Sequence, residues 1–193
     1  MINHKYKVIF IHIPKTGGTS VREILRINDF EKSEIKSHPS YKAYTDSCET
    51  YKEYFTFTIV RNPYDKMVSQ YKYFTESKAI KNPKVNEHYK GDTFKEFLKK
   101  FYTKPYVGDG AHRKIYTDIL HPVDQIDFIG RFENFQQDFD TICDKIGIPQ
   151  QKLPHKNATK HKHYTEYYDE ETKQIVAEKY AKDIEYFGYK FGE

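Results

Sequence analysis

The chain opens on an uninterrupted apolar stretch. Residues 7–13 read KVIFIHI, β-branched and apolar with no alternation between inward and outward positions. A strand with one wet face alternates, so this run predicts a strand covered on both faces, as in a parallel sheet. Gly17 and Gly18 follow, and SVREILRI then sets Val21, Ile24 and Leu25 at helical spacing. The local prediction is strand, glycine turn, helix. A second apolar run, FTFTIV over 55–60, gives way to Arg61-Asn62-Pro63. Asn62 suits an N-cap and Pro63 the first helical position. Met67, Val68 and Tyr71 mark an apolar face on the helix beyond.

The rest of the chain continues the alternation. Residues 79–92 are polar, with Pro and Gly, and predict a loop long enough to carry function. Asp92 is placed to cap a helix TFKEFLKKFY, a further helix spans HRKIYTDIL, and DFIGRFE reads as a third strand. Asn134 or a neighbour starts the helix FQQDFDTICDKI, which Gly147 ends. IPQQKLPHKNATKHKHY is a second, basic loop. DEETKQIVAEKYAKDIEYF is the last helix, with Asp169, Glu170 and Glu171 where the helix dipole favours acids. Buried strands alternating with helices predict an α/β fold. We expect a single domain over residues 1–193, with a central parallel sheet flanked by helices.

Composition narrows the function. No apolar run approaches the roughly 20 residues that span a bilayer, and VIFIHI is too short for a secretory leader and lacks a small-residue cleavage site. The expectation is a cytoplasmic protein with no membrane anchor. Cys48 and Cys143 lie far apart with no ligand spacing around them, which argues against a disulfide framework and a zinc site. A net charge of +4 fits an anionic ligand, but the lysines are spread along the chain and not gathered into the stripe a polynucleotide needs. The chain has 18 Tyr and no Trp, and most of that Tyr is assigned to the core.

Candidate chemistry concentrates in Pro14-Lys15-Thr16-Gly17-Gly18-Thr19-Ser20, between the first strand and its helix. Glycines let the backbone curl so that its N–H groups point inward, and the helix N-terminus adds partial positive charge. Lys15 adds a full charge, and Thr16, Thr19 and Ser20 add hydroxyl donors. This is a P-loop-like phosphate cradle, but its Lys precedes the glycines, whereas a triphosphatase loop places Lys after them. The second strand also ends in Arg61, where a metal-holding Asp would serve a magnesium triphosphate. A phosphosulfate carries less charge on its transferred end and can be held by Lys and backbone donors without a metal. The missing acid favours sulfuryl over phosphoryl transfer.

IFIHIPKTGGTS resembles the 5'-phosphosulfate loop of the Golgi-type and bacterial carbohydrate sulfotransferases (sulfotransferase family 2). These enzymes use 3'-phosphoadenosine-5'-phosphosulfate (PAPS). FTIVRNPYDKMVSQYKYF resembles their 3'-phosphate motif, an Arg at a strand end and a Ser eight positions on, here Arg61 and Ser69. Asn62 and Ser69 lie two helical turns apart and share a face, and an Arg with a hydroxyl suits a phosphate dianion. The likeness extends through IGRFENFQQDFDTICDKIGI to the closing helix. The loop holding His155, Lys156, Lys160, His161, Lys162 and His163 resembles the family's loop over the nucleotide. It implies PAPS as sulfuryl donor with no metal. Lys15, Thr16, Gly17, Gly18, Thr19, Ser20, Arg61, Ser69 and Lys160 would bind the donor. The acceptor would be a carbohydrate or another hydroxylated molecule, engaged around residues 75–110.

The acceptor hydroxyl must lose its proton as the new S–O bond forms, and Lys15 would steady charge on the departing phosphate oxygen. SHPSYKAY resembles the uronyl 2-O-sulfotransferase pattern and implies His38 as the base. Glu23 and Glu34 are fallback bases. His12 fits a core histidine better than a ligand contact, and His112 with Arg113 is a candidate for acceptor or PAPS binding. Two other functions stay open at this level: a nucleotide or small-molecule kinase, and a non-catalytic module that binds adenosine phosphates or glycans.

Overall fold

In the computed structural model, which describes residues 1–25, 39–76, 83–103, 110–154 and 162–193, the apolar runs become strands of one sheet. Strands β1 (Ile2–Asn3), β2 (Val8–Ile11), β3 (Phe55–Val60) and β4 (Phe128–Arg131) lie side by side in that order. β2, β3 and β4 are parallel, and β1 adds an antiparallel edge. Among the described residues the helices are α1 (Gly18–Leu25), α2 (Tyr41–Ser47), α3 (Pro63–Glu76), α4 (Pro83–Tyr89), α5 (Phe94–Thr103), α6 (Tyr116–Leu120), α7 (Phe135–Ile146), α8 (Glu170–Lys179) and α9 (Ala181–Phe187). The fold is α/β with a mostly parallel sheet, as the pattern predicts.

The chain divides into two compact units: Met1–Arg61 with Tyr116–Asn157, and Asn62–Ile115 with Ala158–Glu193. The first holds the sheet. All four residues of β2 are buried, which is why its sequence does not alternate. Val8, Phe10, Phe57 and Ile59 pack with Val21 and Leu25 of α1 and with Phe139, Ile142 and Cys143 of α7. Phe10 and Phe57 face each other across the register and stack with centroids 4.9 Å apart.

The second unit is built around α3. Tyr64, Met67, Val68 and Phe74 of α3 pack with Phe94, Phe97 and Phe101 of α5 and with Val176 and Tyr180. Tyr89 and Tyr180 here, and Tyr116 in the first unit, are wholly buried, so much of the tyrosine does serve as core. Asn62 starts α3: its side-chain oxygen accepts from the Tyr64 N–H at 3.1 Å and its carbonyl from the Lys66 N–H at 2.8 Å. Lys66 is wholly buried, and its ammonium donates to the Tyr180 hydroxyl at 3.2 Å. Burial pushes its pKa down to about 7, against the opposing pull of the Asp183 carboxylate.

Several elements differ from the pattern. Within 79–92, read as loop, residues 83–89 form α4, carried by Val85 and Tyr89, buried one turn apart. Asp92 does not cap α5. Thr93 does: its hydroxyl accepts from the Glu96 N–H at 3.3 Å, and the Glu96 carboxylate accepts from the Thr93 N–H at 2.8 Å. Asp92 pairs with Lys100 instead. HRKIYTDIL yields only a 3-10 turn, Gly110–Arg113, and the short α6. The last helix breaks at the buried Tyr180, which leaves helical geometry (φ −106°, ψ 19°). No helix among the described residues is long and apolar enough to cross a membrane.

Candidate active site at the glycine turn

β2 delivers the chain to a turn whose backbone is set by its neighbours. Lys15 and Gly17 both take left-handed geometry, φ 69° and 82°, and α1 begins at Gly18. Gly17 needs that freedom and also the space: a Cβ there would stand 2.5 Å from the Phe135 ring and 3.2 Å from that of Phe132. A Cβ on Gly18 would meet the His12 ring at 2.0 Å. His12 thus packs against the turn's backbone, with its ring 5.6 Å from Phe10, the place of a brace.

The hydroxyls of the turn divide their work. Thr16 is wholly buried and donates to the Ile13 carbonyl at 2.9 Å, closing the turn on itself. Ser20 donates to the Pro154 carbonyl at 2.7 Å, tying the first turn of α1 to the chain beyond α7. Each hydroxyl has one hydrogen, so in this geometry both donors hold the cradle's shape. Thr19 is half-buried in the first turn of α1.

Arg61, at the end of β3, reaches back to this turn. Its Nη1 donates to the Lys15 carbonyl at 3.2 Å, and its guanidinium lies over the Phe132 ring, 4.2 Å from the centroid. The Tyr116 hydroxyl donates to the Arg61 carbonyl at 2.7 Å. The two cations singled out from the sequence are therefore neighbours, 46 residues apart in the chain. Burial, and then the charge of Arg61, pushes the Lys15 ammonium from 10.5 to about 8. Two cations gathered beside a glycine turn at a helix start form a place where a phosphate or sulfonate is favoured. That is the fit a phosphosulfate donor needs.

In the second unit, Ser69 is buried on α3. His112 lies in the 3-10 turn Gly110–Arg113, bonded to Gln70 at 2.9 Å, and Arg113 sits over the Phe101 ring at 5.3 Å. His163 contacts the Thr165 hydroxyl at 2.8 Å. Glu23 is exposed on α1. His38, Glu34, His155, Lys156, Lys160 and His161 lie outside the described residues. Among the described residues no group of three or more His, Cys, Asp or Glu is placed to hold a metal ion.

Phe132, Phe135 and Tyr116 support the turn and Arg61, yet sequence reading assigned them no role. The only signal was an aromatic pair three residues apart, just past the third strand in RFENF.

A model of the sulfotransferase family matches residues 1–190. Carbohydrate sulfotransferase 10 of Xenopus laevis is 22% identical over 242 residues, covering 98% of this chain and 66% of that protein. The Homo sapiens protein of the same name is 23% identical over 186 residues, covering 75% of this chain and 51% of its own. An uncharacterized protein of Archaeoglobus fulgidus is 33% identical over 99 residues, 51% of this chain and 72% of that one. The chain thus spans from half to just under two thirds of those two carbohydrate sulfotransferases. No solved structure matches it. With the match running almost from end to end, and the cations of its two leading motifs side by side at the turn, the chain belongs to the sulfotransferase family.

Proposed function

We propose that this chain transfers the sulfuryl group of PAPS to a hydroxyl of a carbohydrate. The observation that carries the reading is Arg61 folded back onto the Lys15 carbonyl, which sets two cations at one glycine turn. Carbohydrate as the acceptor class is drawn from the names of the relatives from Xenopus laevis and Homo sapiens.

When bound, PAPS supplies an activated sulfur whose bond to the bridging phosphate oxygen is the one that breaks. The acceptor oxygen bonds to sulfur, the electron pair of the broken bond leaves with the phosphate, and the product is 3',5'-ADP. Lys15 neutralises charge growing on that leaving oxygen, an interaction stronger in the transition state than before it. Arg61, and by resemblance Ser69 and Lys160, hold the nucleotide's phosphates. The acceptor proton passes to a base, assigned by resemblance to His38.

The test is calorimetric titration with 3',5'-ADP in EDTA, followed by PAPS turnover against a panel of glycans read by mass. Binding without a divalent ion and a gain of one sulfuryl group on a glycan are expected. Tight binding of ATP that requires magnesium, with no response to 3',5'-ADP, would refute the reading in favour of a kinase.

A further inference from the structure

The pairing of β3 with β4 carries Arg61 and Phe132 to the same place. Val60 is level with Arg131, the last pair of the parallel register, so the next residues, Arg61 and Phe132, leave the two strand ends side by side. β4 then turns away through a 3-10 turn, Phe132–Asn134. The Asp138 carboxylate of α7 accepts from the Arg131 N–H and pins the start of that turn. The Phe132 ring is half-buried and is buttressed by the Phe135 ring, with centroids 5.3 Å apart. The Arg61 guanidinium carbon stands 4.2 Å over its centroid, and the same ring lies beside Gly17. All of these groups, with Lys15, belong to the first unit.

Two contacts of different kinds hold the guanidinium. Nη1 donates to the Lys15 carbonyl at 3.2 Å, and the ring below draws the cation through its quadrupole. Arginine suits both contacts, because its charge is spread over a planar fork of donors, whereas a lysine ammonium is a compact charge on a flexible stem. With Nη1 tied at one end and Cζ over a ring, the group has little freedom to swing off the turn. A leucine at position 132 would fill much of the same space but offer no face to a cation. The contact also bears on Lys15. Arg61 is the second cause, after burial, that lowers the Lys15 ammonium to about 8, and repulsion between charges falls with distance. An Arg61 that drifts from the turn therefore relaxes Lys15 as well.

We propose that Phe132 is a positioning residue for sulfuryl transfer: its ring holds the Arg61 guanidinium against the Lys15 turn, so that both cations meet the donor's phosphates from fixed directions. In this role Phe132 acts through Arg61 and need not touch the ligand. The consequence for binding rests on the sulfotransferase reading above, whereas the hold on Arg61 does not. Ordering a long side chain before the ligand arrives spares the entropy of ordering it on binding, and that is what an aromatic ring contributes here beyond packing.

NMR titration of the lysine side-chain carbons next to the ammonium reads the hold without any ligand, with Lys15→Met used to assign the signal. The wild-type midpoint is expected at about pH 8. Phe132→Leu should raise it, though not to 10.5, because burial remains, and Phe132→Tyr should keep it near the wild-type value. A ring-fluorinated phenylalanine at position 132 keeps the shape and weakens the quadrupole, so its midpoint should fall between those of wild type and Phe132→Leu. Calorimetry with 3',5'-ADP reads the consequence. Phe132→Leu should lose about 2- to 30-fold in affinity, the loss of one cation–ring contact, and Phe132→Tyr should lose little. In an Arg61→Gln background the leucine should cost almost nothing further, since the cation it serves is gone. A midpoint that the fluorinated ring leaves unmoved overturns the hold, whatever Phe132→Leu does. An equal loss of affinity on both backgrounds overturns the positioning role and leaves Phe132 a packing residue. A midpoint that moves as expected in a chain that does not bind 3',5'-ADP upholds the hold and sinks the function proposed above.

Discussion

Raising the pH should weaken nucleotide binding through Lys15 before it touches any other part of the cradle. In the free protein, burial and the neighbouring Arg61 hold the Lys15 ammonium at about 8, below the ordinary 10.5. A bound phosphate or sulfonate supplies the missing anion and returns the value towards 10.5. Below about pH 8 the lysine is charged in both states and affinity is flat. Above it, binding must drive a proton onto a lysine that has lost one. Linkage with these two values gives a fall of about 30-fold in affinity for 3',5'-ADP between pH 7 and 9.5. At pH 8.5, binding should take up about three quarters of a proton. Calorimetry in buffers of different ionisation enthalpy measures that uptake, and the phosphates of the ligand, with second ionisations near pH 6, stay out of the window. Lys15→Met should bind more weakly at every pH with the uptake gone. The free protein shows the opposite trend. Its unfolded chain holds more protons between about pH 8 and 10.5, so the Lys15 contribution makes stability rise with pH across that window. Unchanged affinity from pH 7 to 9.5, or proton uptake that survives in Lys15→Met, would refute the placement of Lys15 at the anion.

Arg61→Gln should cost about ten-fold or more in affinity for 3',5'-ADP, the loss of a charged hydrogen bond. The loss should be smaller for 5'-ADP, which lacks the 3'-phosphate but still meets the turn that Arg61 shares with Lys15. Arg61→Gln should also move the midpoint of proton uptake upward, though only part of the way, because burial is the larger cause of the Lys15 shift; equal losses for the two nucleotides would remove Arg61 from the 3' position. Gly18→Ala should destabilise by roughly 1–3 kcal/mol through its clash with His12, and His12→Ala should relieve most of that. Urea melts of the double-mutant cycle check the pair, and additive effects would contradict the contact. His38→Ala should leave 3',5'-ADP binding nearly intact while turnover falls roughly 10²–10⁴-fold; near wild-type turnover would assign the base elsewhere.

The sheet was legible because its strands announce themselves locally. A run such as KVIFIHI has nowhere to hide an apolar face in water, and all four residues of β2 are buried. The start of α3 was equally plain, since a capping Asn and a following Pro are short-range chemistry. The elements that escaped are those decided at a distance. β1 is two residues long and pairs only because β2 already exists. The break at Tyr180 follows from burying that ring among α3 side chains more than 100 residues away, and no pattern inside DEETKQIVAEKYAKDIEYF encodes it. Capping at Thr93 shows the limit even of local rules. Asp92 and Thr93 are both acceptable caps by residue type, and the Glu three places after Thr93 tips the choice by completing the reciprocal pair.

The site divides along the same line. Lys15, the glycines and Arg61 are legible because charge and backbone freedom are properties of single residues in sequence. Their support is not. Phe132 and Phe135 explain why position 17 must be glycine, and Phe132 also carries the Arg61 guanidinium. Those roles arise when β4 is set beside β3, bringing residues about 70 to 120 positions apart into contact. Gln70 is the sharper case. By type it is an unremarked polar residue one place after Ser69. Buried against His112, its Nε2 lies 2.9 Å from that ring's Nδ1, a hydrogen-bond contact across 42 residues that neither residue shows alone. Sequence motifs therefore locate where an anion sits more readily than which way a proton travels. The first depends on charge, which a residue carries with it, and the second on hydrogen-bond direction, which appears only when two distant residues meet.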